Sequence, residues 1–124
     1  FIPEDVLSLV RTMEITKADI CTGVYREGYP PSYHLALYDK DFNRPTEIPD
    51  KPFETYACGA GFMLINMKTV KLGEKPFDPI TDKGVRHGED ISFCIRAKDK
   101  GYKIIVDPSV KLGHLRLHEI TVWK

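Results

Sequence analysis

Glu89-Asp90-Ile91-Ser92-Phe93-Cys94-Ile95-Arg96-Ala97-Lys98-Asp99-Lys100-Gly101-Tyr102-Lys103-Ile104-Ile105-Val106 is the stretch on which the fold turns. Two acids open it, as suits the partial positive charge at a helix N-terminus. Ile91, Cys94, Ile95 and Lys98 then recur along one helical face, which predicts a helix over 89–100. Gly101 predicts its C-cap, because the left-handed conformation that ends many helices costs glycine least. Residues 102–106 are aromatic and β-branched and read as a strand, which Asp107-Pro108 is expected to stop.

Working outward from this helix–strand unit, Val110 to Leu112 reads as a short strand and residues 118–123 as a strand or an exchanged arm. Upstream, Gly59-Ala60-Gly61 leads into the apolar run Phe62-Met63-Leu64-Ile65-Asn66, expected to be a buried strand. Residues 67–72 predict a short helix ended by Gly73, and 77–88 a loop. Pro3, Glu4 and Asp5 mark another helix start, followed by an apolar stripe of Val6, Leu9, Val10 and Met13. Residues 19–25 read as a strand. Residues 30–52 hold five of the nine prolines and predict a loop-rich excursion with a short strand around 34–38. The alternation makes the chain α/β, a mixed sheet flanked by helices in one domain over 1–124.

The 124 residues carry 18 basic and 18 acidic side chains, a formal charge of zero. Neither the footprint of a general nucleic-acid binder nor that of an anionic-membrane binder is present in bulk. Apolar runs such as 62–65 are far too short to span a bilayer. Cys21, Cys58 and Cys94 are few, odd in number and widely spaced, which argues against a disulfide framework and a structural zinc site. Reduced, buried thiols and a cytoplasmic location are the expectation.

The chemistry concentrates where a loop becomes a helix, at His87-Gly88-Glu89-Asp90. An ordinary helix start explains two acids without any function. Their company shifts the reading: Gly59 and Gly61 open a strand, where missing side chains let a ligand approach the backbone. Tyr25, Arg26, Tyr29, Tyr33 and His34 gather around Pro30-Pro31, able to stack on sugar rings or hold phosphate, or simply to furnish an exposed loop.

In order and spacing, Gly59-Ala60-Gly61-Phe62-Met63-Leu64-Ile65, Phe77-Asp78, Gly88-Glu89-Asp90 with the helix behind it, Gly101-Tyr102-Lys103-Ile104 and His114 resemble the C-terminal half of GT-A glycosyltransferases, especially the inverting, family-2-like enzymes. The resemblance runs over most of residues 1–114 and implies a partial GT-A-like sheet. It implies transfer of a sugar from a nucleotide-sugar donor to the hydroxyl of a saccharide or other acceptor. Asp90 would be the general base, needed because a neutral hydroxyl is a poor nucleophile. Glu89 would bind acceptor hydroxyls or orient the helix start. Gly59, Ala60 and Gly61 would line the sugar pocket; Tyr25 and Arg26, from the aromatic and basic group around Pro30-Pro31, are candidate substrate contacts beside what the resemblance implies. His114 would help to bind a divalent metal, Mn²⁺ or Mg²⁺, or contact the diphosphate; His118, four residues on, could pair with it.

The family's Asp-x-Asp metal motif, which closes a nucleotide-binding half, has no counterpart at the expected place. Asp39-Lys40-Asp41 has the letters but falls in the loop-rich middle. The opening Phe1-Ile2-Pro3-Glu4-Asp5 looks like the helix start that follows that motif, so the nucleotide-binding half and the main carboxylate ligands are expected outside this chain. Without that half, an exposed sheet edge and apolar face predict pairing of copies. The competing reading is a non-catalytic module, derived from such a domain, that binds carbohydrate or protein.

Overall fold

The computed structural model describes residues 1–27 and 34–113. Helix α1 (Pro3–Thr16) precedes strands β1 (Ile20–Glu27), β2 (His34–Leu35), β3 (Leu37–Tyr38), β4 (Phe53–Glu54), β5 (Ala57–Cys58), β6 (Met63–Ile65), β7 (Thr81–Asp82) and β8 (Val85–Arg86). Helix α2 (Glu89–Asp99) and the long strand β9 (Ile104–Leu112) follow. The chain is mixed α/β. β1 lies at the centre of a five-stranded sheet, with β9 parallel on one side and β4 antiparallel beyond it. On the other side β6 and β2 pair antiparallel with the beginning and the end of β1.

β1 is buried along its first six residues, as expected for a strand covered on both faces. Successive side chains point to opposite faces, so Ile20 and Cys21 enter different cores. Ile20, Val24, Ile104 and Val106 pack with Phe93, Cys94 and Ala97 of α2. Cys21 and Val110 pack with Leu9 of α1, alongside the half-buried Met13, Leu64 and Leu112.

Both helices carry two acids in their first turn. In α1, Pro3 takes the first turn and the Asp5 carboxylate accepts the Ile2 N–H at 3.0 Å. Its buried stripe differs from the expected one: Leu9 and Thr12 are buried, whereas Val6 and Val10 are exposed. The cause is Asp107, 2 % exposed, whose Oδ2 accepts the hydroxyls of Ser8 (2.7 Å) and Thr12 (2.9 Å). These bonds turn the polar Ser8–Thr12 flank of the helix toward the sheet. In α2 the buried face is Ser92, Phe93, Cys94 and Ala97, with Ile91 and Ile95 only half-buried. Gly101 takes φ +81° just past its end.

Three further expectations are corrected. Asp107-Pro108 does not end the strand: β9 runs to Leu112, but its pairing with β1 breaks between Val106 and Lys111 and resumes at Val24. Proline has no N–H to give the ladder, and Gly23 lets the bulged segment approach, since a Cβ there would lie 2.8 Å from Val110 Cγ1 and 3.0 Å from its carbonyl oxygen. Residues 67–72 form no helix; the Asn66 carbonyl takes the N–H groups of Thr69 and Val70 while its side chain takes that of Lys68, making a turn. The apolar run at 62–65 yields only a half-buried, three-residue strand at the sheet margin. Within the 77–88 loop, β7 and β8 form a hairpin whose two turn residues, Lys83 and Gly84, both have positive φ. The arm at 118–123 lies outside the described residues.

Candidate functional site

Helix α2 begins behind Gly88, which has no side chain with which to cap it. One of its free backbone donors, the Ile91 N–H, is taken by Asp90 Oδ1 at 2.9 Å. Asp90 is half-buried and Glu89 exposed. The preceding segment is fastened to the helix at two points. Ser92, fully buried, accepts the Ile80 N–H and donates to the His87 carbonyl. One turn on, Arg96 Nη1 donates to the carbonyls of Pro76 (2.9 Å) and Asp78 (2.6 Å). Phe77 is thereby held stacked on Phe93, centroids 4.5 Å apart.

The facing wall comes from β1, where Tyr25 and Glu27 share a side of the strand. The Gly61 N–H donates to the Tyr25 hydroxyl at 3.0 Å. Both glycines of Gly59-Ala60-Gly61 are needed for this packing. A Cβ on Gly59 would fall on the Tyr25 hydroxyl, and one on Gly61 would come within 2.7 Å of its ring. What approaches this backbone closely is thus the Tyr25 ring. Burial pushes the Tyr25 phenol up to about 12; the carboxylates of Glu27 and Asp90 add to this and the Gly61 bond opposes it. Tyr25 is therefore a neutral hydrogen-bonding group near pH 7.

Tyr25, Glu27, Ala60, Gly61, Phe77, Glu89 and Asp90 together line an open cleft of about 490 Å³. Five of the eight residues selected from the sequence converge there: Tyr25, Ala60, Gly61, Glu89 and Asp90. Gly59 lies just behind, against Tyr25. Arg26 is exposed and, one residue along the strand from Tyr25, falls outside the cleft lining. His114, His118, Tyr29 and Tyr33 lie outside the described residues.

Sequence reasoning missed Glu27 and singled out Phe77 only within the family pattern. Glu27 is fixed by the Tyr38 hydroxyl, which donates to Oε1 at 2.8 Å, and by His34 Nε2 at 3.5 Å from the same oxygen. The alternation of β1 was the one signal that could have placed it beside Tyr25. Burial and then the bond to Glu27 raise the Tyr38 phenol, so it remains a donor.

Among the described residues no group of three or more His, Cys, Asp and Glu side chains is arranged to hold a metal ion. Asp39 of the Asp39-Lys40-Asp41 segment is engaged by its own loop, with Oδ1 accepting the N–H groups of Asp41 and Asn43, both at 2.9 Å. Among the described residues the cleft lining presents three carboxylates, two aromatic rings and a strip of small-residue backbone, and no Lys or Arg. Such a surface suits a polyhydroxylated ligand, with carboxylates accepting hydroxyl protons and rings covering apolar sugar faces. It does not suit a diphosphate, which needs countercharge. No helix among the described residues is long and apolar enough to cross a membrane. No protein-family model, curated protein or solved structure matches the chain.

Proposed function

We propose that the chain is the acceptor-side portion of a nucleotide-sugar-dependent glycosyltransferase, in which Asp90 is the general base. One observation carries this reading: residues chosen from three separate stretches, Tyr25, Ala60-Gly61 and Glu89-Asp90, line a single cleft. In it, an acceptor hydroxyl placed at Asp90 gives up its proton as its oxygen attacks the anomeric carbon of the donor sugar. Inversion follows if the nucleotide leaves from the opposite face. Tyr25 and Phe77 cover the acceptor ring, and Glu89 and Glu27 take further hydroxyls. The countercharge for the departing diphosphate comes from elsewhere, so the isolated 124 residues turn over weakly or not at all.

The test is Asp90→Asn in the protein encoded by the complete reading frame, assayed with a panel of nucleotide-sugars and Mn²⁺. Transfer should fall by about 10²-fold or more, the usual range for losing a general base, with the thermal midpoint little changed. Full activity in the variant sinks the assignment. A cleft lined by three carboxylates, two aromatic rings and small-residue backbone also fits a second reading, a carbohydrate-binding module without turnover. That reading expects saccharide binding by the 124 residues and no transfer by the complete protein.

A further inference from the structure

We propose that Cys58 and Cys94 are a disulfide-forming site, oxidised by a peroxide of hydrogen-peroxide size, that staples together the two segments carrying the cleft. The inference stands on thiol geometry and does not depend on the transferase reading. The two sulfurs lie 3.9 Å apart in the core between the sheet and α2, and both residues are fully buried. A disulfide needs about 2.05 Å between sulfurs. Side-chain rotation has to close the remaining gap of roughly 2 Å. Cys58 ends β5 and leads directly into Gly59-Ala60-Gly61, while Cys94 lies one turn along the helix from Asp90. A bond between them therefore joins the small-residue wall of the cleft to the carboxylate wall.

The contact between the sulfurs, in which either can donate, shifts the Cys94 thiol down and the Cys58 thiol up, while the Cys94 S–H also donates to the Cys58 carbonyl at 3.6 Å. Attack from Cys94, the thiol shifted down, is the step with the lower proton cost, and the linked product is the same from either sulfur. The Cys94 thiolate displaces hydroxide from the peroxide, breaking the O–O bond and leaving a sulfenic acid on Cys94. Cys58 attacks that sulfur, the S–O bond breaks, and oxygen departs as water with the proton released by Cys58. In sum two thiols lose two electrons and two protons, and hydrogen peroxide is reduced to two waters. Cys21 has no such fate: it lies in the other core, beside α1, and burial, with the charge of Asp107, pushes its thiol up to about 12.

The test treats the folded chain with hydrogen peroxide, alkylates the remaining thiols and maps the peptides by mass spectrometry. The expected product is a Cys58–Cys94 linked peptide with Cys21 alkylated. The thermal midpoint should rise on the order of 5–10 °C, since the bond closes a long loop in the unfolded chain, and dithiothreitol should reverse the rise. Cys21→Ser should give the same linkage, and Cys94→Ser neither linkage nor gain. If Cys94→Ser does not fold, the wild-type peptide map alone decides. Separate alkylation of Cys58 and Cys94, sulfinic acid at Cys94 without a cross-link, or a disulfide containing Cys21 would each overturn the proposal.

Discussion

Asp107 and Asp90 are two carboxylates beside two helices of the same sheet, and their surroundings are opposite. Asp107 is buried and accepts four hydrogen bonds, from the hydroxyls of Ser8, Thr12 and Ser109 and from the Ser109 N–H. Burial alone would raise its pKa, but the Ser109, Ser8 and Thr12 donors outweigh that and the net shift is downward. Among the described residues Asp90 takes one local backbone bond, and it lines a cleft with Glu27 and Glu89. An acid whose lone pairs are filled by its own protein holds structure together. An acid that opens on a cavity with its bonding unfinished can act on a ligand. The difference lies in the company each acid keeps, not in the residue type.

The largest effect that would sharpen this contrast is on stability. Asp107→Ala strands the Thr12 hydroxyl and unfastens α1 from β9, and should cost about 2–4 kcal/mol in chemical denaturation. Asp90→Asn should cost less than about 0.5 kcal/mol. Equal losses would erase the distinction. The same contrast has a pH signature. Because the folded pKa of Asp107 is depressed, its contribution is present above the unfolded value of about 3.9 and is lost as pH falls through the folded one. Wild type should therefore lose more of its thermal midpoint on acidification below about pH 4 than Asp107→Asn does.

Two glycines extend the comparison at smaller cost. Gly23→Ala meets Val110, including its backbone carbonyl, which cannot yield cheaply, and should lose about 2–3 kcal/mol. Gly61→Ala meets the Tyr25 ring, whose tip borders the cleft and can shift outward, for about 1–2 kcal/mol. Ligand binding should suffer more in the second variant than in the first. The smallest effect concerns α1, whose outer side exposes Ile2, Val6, Leu7 and Val10. Sedimentation should show mass rising with concentration, and Leu7→Glu with Val10→Glu should weaken the rise. A concentration-independent monomer refutes self-association.

What the sequence made legible was governed locally. Residues 89–101 carry their own start and stop, and α2 forms within a residue of the expected bounds. Its buried face is Ser92, Phe93, Cys94 and Ala97, so of the expected stripe only Cys94 is buried. The clustering of Tyr25, Gly61 and Asp90 lies beyond any local window, because they lie up to 65 positions apart. The failures share a cause in distant partners. Val6 and Val10 make an apolar stripe by spacing, but the polar Ser8 and Thr12 are claimed by Asp107 from 99 and 95 residues away. No window around α1 contains that acid. Residues 67–72 failed for a nearer reason: one Asn66 side chain and its carbonyl offered the backbone a turn that competed with a helix. The Cys58–Cys94 pair was invisible because wide spacing in sequence says nothing about separation in a core.

The interruption in β9 has an arithmetic of its own. Between paired positions, β1 spends one residue, Gly23, where β9 spends four, Asp107 to Val110. Ahead of the gap the even-numbered residues Ile104 and Val106 belong to the α2 core; after it the even-numbered Val110 and Leu112 belong to the α1 core. The bulge is thus a phase inverter, exchanging which letters of the strand answer to which helix. Parity, not length, is the quantity it protects. Losing two residues there would shorten a loop, while losing one would send Val110 and Leu112 to the wrong layer.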